Sequence, residues 1–107
     1  MLLYAESTEE IYVSKVLFSV WWKKEFDELG WPEDVSHFVR EVPLLHPPEM
    51  GTTVDLSDSY HRDLSTRVEE VKYHLEYDEW FVFLSIEERS FTYEYFVDPK
   101  NRWEPRQ

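Results

Sequence analysis

Two seven-residue runs near the end of the chain, Trp80 to Ile86 (WFVFLSI) and Phe91 to Val97 (FTYEYFV), are built almost wholly of aromatic and β-branched residues. Such side chains suit a pleated, half-buried surface, and an apolar period of two is the mark of a strand. The four residues between them, Glu87 to Ser90, are polar, so the pattern predicts a β-hairpin. On its first strand Trp80, Val82, Leu84 and Ile86 share one face against Phe81, Phe83 and Ser85. On its second strand Phe91, Tyr93, Tyr95 and Val97 oppose Thr92, Glu94 and Phe96. Each strand has one apolar or aromatic face that must be covered.

The cover is expected from the segment just before. Tyr60, Leu64, Val68, Val71 and Leu75 follow one another at spacings of four, four, three and four, which puts all five on one side of a helix. Asp55, Ser57 and Asp58 precede this stretch as candidate N-caps, and Asp63 and Arg67 stand at i,i+4 for pairing on its outer side.

The front of the chain supports two readings. Ile11 to Trp22 (IYVSKVLFSVWW) is rich in β-branched and aromatic residues, and Val16, Phe18, Val20 and Trp22 alternate, as in a strand. Ser7 and Glu10 also have capping-box spacing, Gly30 suits a C-cap, and Ile11, Lys15, Phe18, Trp22, Phe26 and Leu29 fit a helical stripe broken only by Lys15. The strand is favoured, preceded by a short strand at Leu2 to Ala5 and a turn at Thr8 to Glu10. Pro32, followed by Glu33 and Asp34, is expected to open a short helix reaching about Val42, because proline suits the first helical position and carboxylates suit that end of the dipole. Pro43 to Ser57 holds three prolines, Gly51 and paired threonines, and predicts a long surface loop. The expected architecture is a single α+β domain over residues 1–107, an antiparallel sheet of about four strands packed on one long amphipathic helix and one short helix.

Composition narrows function. The chain carries 23 Asp and Glu against 11 Lys and Arg, a net charge of -12. The acidity is distributed: residues 1–34 carry -5, residues 35–59 carry -3 and residues 60–107 carry -4. A surface of this sign repels phosphate backbones and anionic lipid heads, so neither direct nucleic-acid binding nor membrane binding is expected; a basic protein is the natural partner. With no cysteine, disulfide frameworks and thiolate chemistry are absent, and a cytoplasmic setting fits. No apolar run approaches the roughly 20 residues that cross a bilayer.

Catalytic parts are not evident. There is no serine in a nucleophile-elbow context and no glycine-rich phosphate loop, and paired carboxylates are too frequent to single out an acid and a base. Glu70 and His74 would share a helix face, yet nothing else completes a metal-ligand set. No enzyme, cofactor or metal site is expected.

The aromatic content, 7 Phe, 7 Tyr and 5 Trp, is more than a small core readily buries, and Tyr and Trp are enriched at interface hot spots. Tyr12, Trp31, Tyr73, Tyr77 and Trp103 are candidates for exposure. The expected partner-binding set is Glu69, Glu70, Asp78, Glu79, Glu87, Glu88 and Glu94 as acidic contacts, with Tyr73, Tyr77 and Tyr95 as anchors. In such a surface the charges speed encounter and the aromatics hold the complex.

The order of a two-stranded aromatic front (LLYAEST, then IYVSKVLFSVWW), a loop, an amphipathic helix and a Trp opening a hairpin (DEWFVFLSIEERSFTYEYF) resembles the YezG family of toxin-immunity proteins. The likeness is best over about the last fifty residues and looser over the first thirty. It implies a small acidic cytoplasmic protein that binds and neutralises a cognate toxin, often a nuclease, and carries over no catalytic residues. A DNA-mimic inhibitor of a host defence or DNA-binding protein is the alternative that shares the acidity. Exposed strand edges leave a homodimer open.

Overall fold

The computed structural model describes residues 14–58, 64–87 and 91–107. Alternation wins at the front of the chain: β1, Ser14–Trp21, is a strand and not a helix. Its Val16 and Val20 are buried on one face, and Leu17 and Ser19 are buried on the other. Both edges of β1 are filled as well. β2, His37–Leu44, pairs antiparallel along its whole length, and β5, Glu79–Ser85, pairs parallel from Lys15↔Glu79 to Val20↔Leu84.

β4, Ser65–His74, lies antiparallel on the outer side of β5, and β3, Thr53–Asp55, pairs with the start of β4. β6, Glu104–Arg106, pairs with β2 at the opposite edge. The result is one six-stranded mixed sheet in the order β3-β4-β5-β1-β2-β6. The strand at Leu2 to Ala5, the turn at Thr8 to Glu10, and Tyr12 fall outside the described residues.

The fold class departs from the expected α+β layout: among the described residues there is no long helix, and their sheet is neither four-stranded nor purely antiparallel. The stretch read as the long amphipathic helix is, in its described part, β4. The reason is a β-bulge between Val68 and Glu70. Thr66 and Val68 are buried two apart; the extra residue then places Val71, not Glu70, against Val82. One bulge turns a spacing of two into a spacing of three, which imitates helical period. With β4 a strand, Asp55 lies in β3 instead of capping a helix. Glu70 and His74 stand about 13 Å apart along β4, beyond the reach of one metal ion.

The predicted hairpin is half right. Its first strand is β5, with Val82 and Leu84 buried, Ile86 buried just beyond its end, and Phe81 and Phe83 on the other face as expected. Its second strand is instead the five-residue helix α1, Tyr93–Val97. β5 already has β4 on one edge and β1 on the other, so no edge remains for a hairpin partner. The segment after Pro32 fails as a helix for the same kind of reason. Pro32 opens only a turn, closed by Val35 N–H donating to the Pro32 carbonyl at 3.4 Å, and Phe38 and Val39 bury opposite faces of β2. The Pro43 to Ser57 loop is a loop only in part, because Thr53–Asp55 joins the sheet. Gly51 and Thr52 are tied to Val68 by two backbone hydrogen bonds of 2.8 Å.

A lid of aromatic rings takes the place of the missing helix. Phe26, from a 3₁₀ helix at Lys24–Leu29, stacks on Phe91 at 4.6 Å, and Phe91 stacks on Phe96 of α1 at 5.7 Å. Phe96 in turn stacks on Phe38 of β2 at 5.2 Å and meets Trp103 edge-on at 5.1 Å. Offset and edge-to-face pairs of this kind add stability beyond their buried area. Trp31 and Trp103, two residues expected at the surface, are buried in this layer. No described helix is long and apolar enough to cross a membrane.

Candidate functional site

The β4–β5 hairpin gathers six of the ten residues expected to bind a partner. Its four-residue turn, Leu75 to Asp78, closes with Asp78 N–H donating to the Leu75 carbonyl at 3.3 Å, with Asp78 in the left-handed region at φ 53. Asp and Asn are among the few side chains that enter that region readily. The Tyr73 hydroxyl donates to the Asp78 carboxylate, and the Tyr73 ring packs on Trp80 at 4.8 Å. His74 stacks on Tyr77 at 4.8 Å, which fixes the outermost ring. Leu75 is 81% exposed and Tyr77 66%, both held at the tip by a braced turn.

Carboxylates are spaced along the hairpin, from the bulge to the turn. Glu69, at the bulge, and Glu76 are exposed; Glu70 is exposed and pairs with Lys72 at 3.7 Å. Glu79 differs from them, because it is buried against the sheet and accepts from Lys15 at 3.0 Å. That hydrogen bond and the charges of Glu79 and Glu41 hold the Lys15 ammonium above the ordinary lysine range. Glu79 is therefore a sheet ion pair, not a free contact.

The other expected residues lie elsewhere. Tyr95 is 2% exposed; its hydroxyl accepts from Trp103 Nε1 at 3.4 Å and its carbonyl from Asn101 Nδ2 at 2.9 Å. It is a core residue and leaves the contact set. Glu94 is exposed on α1 and Glu87 is exposed beyond the end of β5, both apart from the hairpin tip; Glu88 falls outside the described residues.

A second feature, at the opposite end of β1, went unread in the sequence. Trp21 and Trp22 close β1, Gly30 at φ 97 caps the 3₁₀ helix, and the chain turns back so that Trp31 N–H donates to the Phe26 carbonyl at 3.2 Å. Trp21, Trp22, Trp31, Asp27 and Glu33 thereby line a cleft of about 810 Å³. Only the WW pair followed at a short interval by GWP hinted at it. On the sheet face away from the core, Trp21 stacks on His37 at 4.0 Å beside Phe83.

Among the described residues no group of three or more His, Asp or Glu side chains is placed to hold a metal ion. Compared with known family models, with curated proteins and with solved structures, the chain matches none.

Proposed function

We propose that the chain is a non-enzymatic inhibitor that binds a basic protein through the β4–β5 hairpin. In its narrowest form it is a cytoplasmic immunity protein against a cognate nuclease-type toxin. The observation that carries this reading is the hairpin tip, where Leu75 and Tyr77 stand out in water beside Glu76 and Asp78, with Glu69 and Glu70 exposed farther back along β4. An apolar centre with a charged rim is the anatomy of a protein interface, the rim steering encounter and the centre slowing release. The reading rests on that surface and on the net charge of -12. It does not lean on the YezG-like order of helix and hairpin, since those two elements are a strand and a strand followed by a short helix.

The test is parallel capture from a lysate of the source organism at low salt by the wild-type chain, by Leu75→Ala/Tyr77→Ala and by Glu69→Lys/Glu76→Lys, with salt-gradient elution and mass spectrometry. One basic protein held by the wild type, released earlier from the apolar double variant and bound more slowly by the charge-reversed one, is the expected result. Many DNA-binding proteins leaving together at moderate salt would point to a DNA mimic. Equal retention by all three chains would remove the hairpin from the interface.

A further inference from the structure

We infer that the cleft between Trp22 and Trp31 is a binding site for an alkylated ammonium group. Indole N–H groups are the donors by which a tryptophan-lined cleft would hold an anion or a carbonyl. All three are already used within the chain. Trp21 Nε1 donates to Ser19 Oγ at 3.2 Å, Trp22 Nε1 to Asp27 Oδ1 at 2.7 Å and Trp31 Nε1 to the Val35 carbonyl at 2.6 Å. Ser36, the remaining hydroxyl of the lining, is engaged with His37 Nδ1 at 2.7 Å and with the Arg106 carbonyl at 3.1 Å.

With its donors spent, the cleft offers a ligand negative charge and the π surface of Trp22 and of the side of Trp21 that His37 leaves open, while Trp31, 6% exposed and packed on Phe26 and Phe91, forms its floor. Trp21 and Trp22 are 45% and 47% exposed, and the carboxylates of Asp27 and Glu33 stand beside them. No lysine or arginine side chain is among the lining residues. The nearest in sequence, Lys23, turns elsewhere, donating to the Ile86 carbonyl at 3.4 Å and lying over the Phe26 ring. Indole faces attract cations through the ring quadrupole, and tryptophan does so best. A quaternary ammonium fits better than a bare ammonium, because its methyl groups need no hydrogen-bond acceptors and lose little hydration on entering an aromatic cleft. The Trp22 to Asp27 hydrogen bond sets the orientation of the more exposed ring, so part of the site is built before a ligand arrives.

Such a group reaches a protein either on a free small molecule or on a methylated lysine side chain, and both share the chemistry. The site lies at the far end of β1 from the hairpin, so its fate is separate from that of the proposed interface.

The test follows the five tryptophan indole N–H resonances by NMR while the full chain is titrated with choline, with its neutral isostere 3,3-dimethylbutan-1-ol, and with a short peptide bearing trimethyllysine or plain lysine. Saturable shifts confined to a subset of indoles, with choline bound at least about tenfold tighter than the neutral isostere, are expected. Trp22→Ala and the surface change Glu33→Gln should each weaken choline binding while leaving the spectrum of a folded chain. Tighter binding of the trimethyllysine peptide than of choline, with the plain lysine peptide weak, would assign the site to a modified protein; the reverse order would assign it to a free small molecule. Equal binding of choline and the neutral alcohol, or no saturation by any of the cations, would overturn the inference.

Discussion

His37 shows how one residue reports on its surroundings. Its ring lies flat on Trp21, its Nδ1 meets the Ser36 hydroxyl, and both its burial and the nearby Arg106 guanidinium lower its proton affinity below the ordinary histidine value. The folded chain thus prefers neutral His37. The sign follows: above about pH 6.5 neither state binds the proton, whereas below it the unfolded chain takes one up first and stability falls. His37→Gln should flatten the loss of Tm between about pH 7 and pH 5 relative to the wild type. Parallel Tm curves for the two proteins would show that His37 titrates alike folded and unfolded. Histidines read only from their position in the sequence carried no such expectation, because the Trp21 stack depends on the β1–β2 register, Trp21↔His37.

At the scale of elements, short irregular pieces do the work that a long helix was expected to do. The 3₁₀ helix Lys24–Leu29 ends at Gly30, whose φ of 97 lies where an L side chain is strained. A Cβ there would meet only Tyr93 Cβ at 3.7 Å, an ordinary contact, so the cost of Gly30→Ala is one of backbone conformation. Urea unfolding should show a loss of about 1–2 kcal/mol. A loss much above that would mean that Trp31 and its stacking on Phe26 at 5.6 Å had also moved. The same segment folds Asp27 back to the Trp22 indole, so Gly30→Ala should also perturb the Trp22 indole resonance.

For the whole molecule, the charge of -12 is spread over all three thirds of the chain and is countered at only a few described ion pairs, such as Lys15 with Glu79 and Lys72 with Glu70. Like charges on a small surface repel and weaken the compact state, and salt screens that repulsion. The Debye length falls from about 30 Å at 0.01 M to about 8 Å at 0.15 M, so Tm should rise on the order of 5 °C across that range. NaCl and KCl should act equally. A Tm that stays flat or falls with salt would mean that local ion pairs outweigh the summed repulsion.

Alternation of β-branched and aromatic residues determined β5 and its two faces, and favoured a strand over a helix for β1, before any tertiary contact was known, because period two is a property of the backbone itself. Six of the ten expected contact residues, all between Glu69 and Glu79, fall on one hairpin because residues close in sequence stay close in either a helix or a hairpin, although Glu79 is engaged with Lys15. Tertiary structure decided the rest. The bulge at Glu69 hid β4 behind a helical spacing, and the occupation of both β5 edges turned the FTYEYFV run into α1. Tyr95 went to the core, while Trp22 and Trp31 came to line one cleft across a turn that no local pattern announces. Strand edges are filled once only, and which segment fills each depends on the sum of contacts across the sheet. A local period can therefore name a strand without naming its neighbour, or show that a residue is aromatic without telling whether its ring meets the core or the solvent.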